Sequence, residues 1–363
     1  MKITVATGLY PPEIGGPATH TVFMETYLTQ YGYVVNVVPF SLSRSYPKVI
    51  RHLHYFLKLV SASRGSKYIF AQDTVSVGLP ARLVSLVTRI PLVVRVPGDY
   101  AWEQATQRFG VTDDIDSFQE KKHARSVELL KWLQRRTVKG ANWVVVPSEY
   151  FNQLVCGWGV SKERVVTIYN GIDLEEAPAM PNSAPARPYM VTAARLVPWK
   201  GIDSLIGLLQ QLPDWQLVII GDGPDLKSLR SKAQSSQVID RVTFTGRLPR
   251  AEVLGWCKAC DAFVLNSSFE SFSYQVAEAM SVGANIITTK IGSLPELIGC
   301  ANEAGLLIQP NDTKALVAAL TEISSDDSKW AERRARAVER AQNFSIAATA
   351  EKLHQLFQLG AKK

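Results

Sequence analysis

The chain has 363 residues, 46% of them hydrophobic, which is enough for two domains that each bury a core. No apolar run approaches membrane-spanning length, and four cysteines argue against a disulfide framework. The formal net charge of +7 sits mostly in residues 1–175, where 20 Lys+Arg face 14 Asp+Glu, so that half meets acidic partners more readily.

The N-terminal stretch Met-Lys-Ile-Thr-Val-Ala-Thr is strand-like and lacks a charged-then-apolar leader, which points to a cytoplasmic protein. Strands are predicted at Ile3–Thr7, Val34–Pro39, Tyr68–Ala71, Leu92–Val96, Trp143–Val146 and Val165–Ile168. Helical patterns lie between them, for example at Thr19–Tyr31 and Lys121–Val138. Short Val/Ile runs alternating with helices indicate a parallel α/β sheet. The Pro/Ala-rich segment Ala177–Pro188 reads as a linker. The alternation then restarts at Tyr189–Ala193, Gln216–Ile220, Val242–Thr245, Ala262–Leu265, Asn285–Thr288 and Gly305–Ile308. Two similar α/β halves place the default site at the carboxyl ends of their strands, in the cleft between the halves.

Several segments fall at those strand ends. Gly15 and Gly16, just after the first strand, would let backbone N–H groups approach an anion, or make a simple turn. Arg195 and Lys200 follow a strand and precede a helix, either as a phosphate clamp or as two solvated charges. Gly246 and Arg247 leave a strand, where a backbone contact to a base competes with a plain turn. Glu270 and Glu278 stand eight residues apart around a helix start near Ser271 or Ser273. On a helix that spacing puts them on one face roughly 12 Å apart, too far for one acid/base pair. They suit either an ordinary capped helix or an elongated ligand whose anionic middle lies at the helix N-terminus. Cys257 and Cys260 form a lone C-x-x-C in a helical pattern and read as core cysteines. His20 opens the first helix and reads as capping or packing.

In their order and spacing these segments resemble the retaining GT-B glycosyltransferases of family 4, which share an E-x7-E motif. The match runs through Pro11-Pro-x-x-Gly-Gly, Asn170-Gly-Ile-Asp173, Ala194–Asp203, Gly221-Asp-Gly-Pro224, Phe244-Thr-Gly246, Asn266–Gly283 and Gly292–Ile298. The resemblance implies an α/β GT-B protein of two Rossmann-like domains facing each other across a cleft. Residues 1–175 with helix 345–363 would form the acceptor domain, 176–188 the linker, and 189–344 the nucleotide-sugar domain. Arg195 and Lys200 would bind the donor diphosphate, Glu278 the ribose, and Glu270 would lie near the transferred sugar. Ser271, Phe272 and Ser273 would offer backbone N–H groups, and Gly16 would close over the diphosphate. A metal-independent reaction without a cofactor and without a protein nucleophile is implied. Two departures stand out. Ser271-Phe-Ser273 replaces the usual Gly-Phe-Gly, and no histidine follows the fourth strand, where Asp99 is the nearest polar candidate. Asp99 would contact the acceptor or orient its hydroxyl, or else cap the next helix.

Two basic segments, Arg44–Lys67 and a helix holding Lys121 through Lys139, suit an anionic membrane face or a lipid-linked acceptor as well as a solvated helix. The expected activity is transfer of a hexose-type sugar from a nucleoside diphosphate to a glycan or lipid-linked acceptor, with no nucleic acid partner. The alternatives are a sugar-nucleotide epimerase of the same fold and a non-catalytic subunit of a glycan-assembly complex.

Overall fold

The computed structural model describes residues 1–13, 16–174, 184–325 and 327–361. The chain divides into two compact units, Met1–Gly171 with Ile346–Lys363, and Ile172–Ser345. The expected linker at 176–188 lies largely outside the described residues. Its end is tied to the second unit, where Arg187 donates to Asp261 at 2.9 Å.

The strands of the first unit are β1 (Lys2–Thr7), β2 (Val34–Pro39), β3 (Tyr68–Ala71), β4 (Leu92–Arg95), β5 (Trp143–Val146) and β6 (Val165–Thr167). Its helices are α1 (Gly16–Gln30), α2 (Lys48–Ala62), α3 (Gly78–Thr88), α4 (Tyr100–Phe109), α5 (Ile115–Glu120), α6 (Arg125–Lys139) and α7 (Glu149–Gly157). The second unit carries β7 (Tyr189–Ala193), β8 (Gln216–Ile220), β9 (Val242–Gly246), β10 (Ala262–Leu265), β11 (Ile286–Thr289) and β12 (Leu306–Ile308). Its helices are α8 (Ile202–Leu208), α9 (Leu226–Ser235), α10 (Arg250–Ala259), α11 (Tyr274–Ser281), α12 (Leu294–Ile298), α13 (Thr313–Ser325) and α14 (Asp327–Ala341). The last helix, α15 (Ile346–Ala361), belongs to the first unit.

Each sheet is parallel, in the orders β2-β1-β3-β4-β5-β6 and β12-β11-β10-β7-β8-β9. Every predicted strand is present, with ends shifted by no more than one residue. The inner strands β3, β4, β7, β10 and β11 are buried throughout, which is why they read as apolar runs, whereas the edge strands β2, β9 and β12 are partly exposed. The helix predicted from Lys121 begins at Arg125, because Lys121 and Ala124 hold extended backbone on either side of a bend.

The core of the first unit joins Ile3, Val5, Phe70 and Val93 of the sheet to Phe23 and Met24 of α1. Leu353, Leu356 and Phe357 of α15 complete it. Burying each such side chain contributes about 1.5–3 kcal/mol. The second core gathers Met190, Leu217, Ile219 and Val264 with Leu205, Leu320 and Trp330. Among the described residues no helix is long and apolar enough to cross a membrane.

Candidate functional site

In the second sheet β7 neighbours β8 on one side and β10 on the other, so the strand order reverses between β7 and β10. Ligands in open parallel sheets collect at the carboxyl ends of the strands at such a reversal. The loop after β7 carries Arg195 and Lys200, and the loop after β10 carries Glu270.

Close backbone contact fixes the first loop. Gly221 has φ +137°, and a Cβ there would stand 1.9 Å from the Ala194 carbonyl oxygen. Only glycine therefore lets the Gly221–Pro224 turn lie against Ala194–Leu196. Leu196 N–H donates to Asp222 at 3.1 Å, and Asp225 N–H donates to Leu196 at 3.2 Å. Leu196 is buried by this clasp and Arg195 is left exposed. Arg195 has no hydrogen bond or ion pair among the described residues.

Lys200 ends a short turn, Pro198–Lys200, that is pinned to the second loop. Ser268 N–H donates to the Trp199 carbonyl at 2.8 Å, and the Asn266 amide donates to the Gly201 carbonyl at 3.2 Å. A Cβ at Gly201 (φ +60°) would meet the Asn266 carbonyl oxygen at 2.3 Å. This pinning delivers Lys200 Nζ to Glu270 Oε1 at 2.5 Å. Ser267 Oγ donates to the same oxygen at 2.8 Å, and Glu270 is buried. The backbone of Glu270 is held from behind by Ser293 N–H at 3.2 Å.

Ser273 is the N-cap of α11, its hydroxyl accepting from Val276 N–H at 3.3 Å. Phe272 is buried against Tyr274 and Phe344, and Ser271 is half-buried. Because α11 begins at Tyr274, Glu270 lies outside the helix, and the shared-face geometry expected for the two glutamates does not apply. Each carboxylate instead has its own cation. Glu278 Oε1 accepts from Arg250 Nε at 2.7 Å, and Arg250 also donates to the Asp173 carbonyl. Burial pushes the Glu278 carboxyl above the usual glutamate range, with Arg250 pulling it back. Arg250 was not singled out by the sequence. Its signal was its place at the first position of α10, just past the Gly246 strand exit.

Gly246 ends β9 at φ +72°, and its carbonyl accepts from Gly221 N–H at 2.8 Å. Arg247 is exposed, with Nε 3.7 Å from Asp222. Both thus brace the turn behind Arg195. In the first unit Gly16 is the exposed first residue of α1, and Gly15 lies outside the described residues.

Of the two roles expected for Asp99, the capping one is present. Asp99 is fully buried and caps α4, accepting from Trp102 N–H at 3.0 Å. The side-chain amides of Gln134 and Gln119 fill its oxygens at 2.8 and 2.7 Å. Three donors thus hold the buried carboxylate in place. His20 is buried between Phe23 and Phe70, and burial, then Arg95, hold its pKa well below the ordinary value. Arg95 is itself buried, donating to Asn170 at 2.7 Å and Gln72 at 3.3 Å. Cys257 and Cys260 are core thiols, both raised chiefly by burial.

Residues 3–176 match the family model described as Glycosyltransferase Family 4, and residues 174–344 the model described as Glycosyl transferases group 1. The lipopolysaccharide core biosynthesis mannosyltransferase LpsB of Rhizobium meliloti is 30% identical over 185 residues, 48% of this chain and 52% of that protein. The putative colanic acid biosynthesis glycosyltransferase WcaL of Escherichia coli is 30% identical over 192 residues, 49% of this chain and 47% of that protein. The chain thus spans about half the length of the curated relatives it matches. Among solved structures, sucrose-phosphate synthase from Thermosynechococcus elongatus superposes with a TM-score of 0.78 at 20% identity, covering 100% of both chains. Anabaena Alr3699/HepE in complex with UDP-glucose gives 0.76 at 19% identity, covering 99% of both chains. These likenesses show the GT-B fold of two Rossmann-like domains. With family models spanning residues 3–344, the chain belongs to the group 1 glycosyltransferases.

Proposed function

We propose that the chain transfers a hexose-type sugar from a nucleoside diphosphate sugar to a hydroxyl of a glycan or lipid-linked acceptor, with retention at the anomeric carbon. One observation carries this reading. Arg195, an uncompensated cation, stands on a loop pinned beside the buried Lys200–Glu270 pair at the reversal of a parallel sheet. The HepE structure, which holds UDP-glucose, lends the donor class.

When the glycosidic bond breaks, the departing diphosphate gains negative charge and the sugar becomes oxocarbenium-like. A fixed guanidinium and ammonium beside the N-terminus of α11 favour that charge more strongly than the ground state. Glu270, held by Lys200, is a poor nucleophile, which suits front-face attack with the leaving phosphate taking the acceptor proton. It is placed instead to accept hydrogen bonds from the sugar. Glu278, further along α11, accepts from the ribose hydroxyls, with Arg250 opposing the rise that burial gives its pKa. This chemistry uses protein cations where other transferases use a divalent metal.

The test has two stages. A panel of UDP-, GDP- and ADP-sugars is screened by thermal shift, because a bound donor raises the melting temperature. Release of nucleoside diphosphate with acceptor present is then measured for the wild type and Arg195→Ala. The variant is expected to lose about 10²–10³ in rate while melting normally. A near-full rate in the variant, or no donor that raises melting, defeats the reading.

A further inference from the structure

The first unit carries a surface that the transfer chemistry does not use. The connections β2 to β3, β3 to β4 and β4 to β5 all step the same way across the sheet. Right-handed crossovers therefore put α2, α3 and α6 side by side on one face. On α2 the outward stripe is Ile50, Leu53 and Leu57, at spacings of three and four. On the neighbouring α3 it is Leu83, Leu86 and Val87, with Leu86 65% and Val87 69% exposed. On α6 Leu129 and Trp132 continue it, both more than half exposed. Single exposed leucines are ordinary, but three adjacent helices turning their apolar stripes outward are not.

The charges on this face are mostly basic. Neither α2 nor α3 contains an acid, and Glu128 is the lone acid of α6. Arg82 and Arg136 meet where α3 approaches the end of α6, with Arg82 against Gly140, and Lys139 follows with its ammonium beside Gly159. None of the three has an ion pair among the described residues. Arg82 Nη1 is buried without a hydrogen-bond partner. Arg136 lies close enough to help lower the Arg82 pKa, after burial. Two guanidinium groups set together with no carboxylate between them leave room for an anion. Arg136 also stands 5.9 Å above the Trp132 ring, an amphipathic pairing suited to a headgroup layer.

We propose that the α2–α3–α6 face docks on an anionic phospholipid surface, its aliphatic stripes entering the acyl boundary and its arginine and lysine cluster meeting lipid phosphates. Charge complementarity selects this occupant. A twofold pair of copies would set basic face on basic face. Docking does not depend on the transferase reading, and the assay below needs neither donor nor acceptor.

The experiment is co-sedimentation with vesicles of phosphatidylcholine alone and of phosphatidylcholine mixed with phosphatidylglycerol, at low and physiological salt. Wild-type protein is expected to pellet with the anionic vesicles and release as salt rises. Arg136→Ala with Lys139→Ala is expected to weaken binding about fivefold per cation. Leu53→Glu with Leu86→Glu is expected to weaken it more than about tenfold, because it removes apolar burial and adds repulsion. If the leucine pair lowers the melting temperature, the Arg136/Lys139 variant decides alone. Absence of pelleting with anionic vesicles at low salt overturns the proposal. So does binding indifferent to the variants, or a light-scattering dimer that the leucine variant converts to monomer.

Discussion

The two units solve the same problem, polar groups at the ends of parallel strands, in opposite ways. In the second unit each site carboxylate is matched by a cation, Glu270 by Lys200 and Glu278 by Arg250, and Arg195 is left over. In the first unit the buried Lys131 pairs with Glu128 at 3.1 Å, but two other buried charges rest on amides. Asp99 is held by Gln119, Gln134 and a backbone N–H, and Arg95 by Gln72 and Asn170. Amides hold a charge in place without neutralising it, and ion pairs can be re-partnered by an incoming ligand. On the proposed function, the pairs that a ligand would re-partner lie in the second unit.

Breaking one partner on each side tests that contrast. Lys200→Ala leaves Glu270 buried with only Ser267 for company, and is expected to cost about 3–5 kcal/mol of stability as well as transfer activity. Chemical unfolding read alongside nucleoside diphosphate release separates it from Arg195→Ala, which should leave stability intact. Asp99→Ala removes a helix cap and orphans two buried amides, for a loss of about 2–4 kcal/mol. If its transfer rate, measured below the unfolding transition, is near normal, Asp99 serves as a cap alone. A selective loss of acceptor use with normal stability would assign Asp99 to the acceptor.

The smallest effect concerns pH. If Glu278 holds the ribose as proposed, its ionised form is the better acceptor, and donor affinity is expected to fall about tenfold as pH drops through its raised pKa. In Arg250→Ala the cation that pulls the pKa down is gone, and the acid limb should move to higher pH. Glu278→Gln should flatten it. For folding, a carboxyl raised by burial favours the native state below its unfolded pKa, and that favour is lost as pH rises through the folded value. Donor titrations monitored by thermal shift across pH read both.

Much of this was legible before any coordinates. The inner strands were visible because double-sided burial leaves uninterrupted Val/Ile runs, and the motif loops were visible because glycine, proline and charge cluster at their exits. The helix α3 was not, since Gly-Leu-Pro-Ala-Arg-Leu-Val-Ser-Leu-Val-Thr is short and opens with breakers. The Glu278–Arg250 pair joins positions 28 apart, a contact that chain-local periodicity cannot encode. The capping of Asp99 was one of two readings of a lone aspartate. The amides of Gln119 and Gln134 that hold it arrive from α5 and α6, beyond the reach of a local pattern.

The placement of α15 has a consequence for biogenesis. Leu353, Leu356 and Phe357 seal a core whose other walls are built from residues before Ile168. A ribosome adding roughly 5–20 residues per second needs roughly 10–40 s to travel from the last strand of that unit to its closing helix. Throughout that interval the nascent first unit presents an unsealed apolar flank, because the whole of the second unit is synthesised before the helix that closes the first.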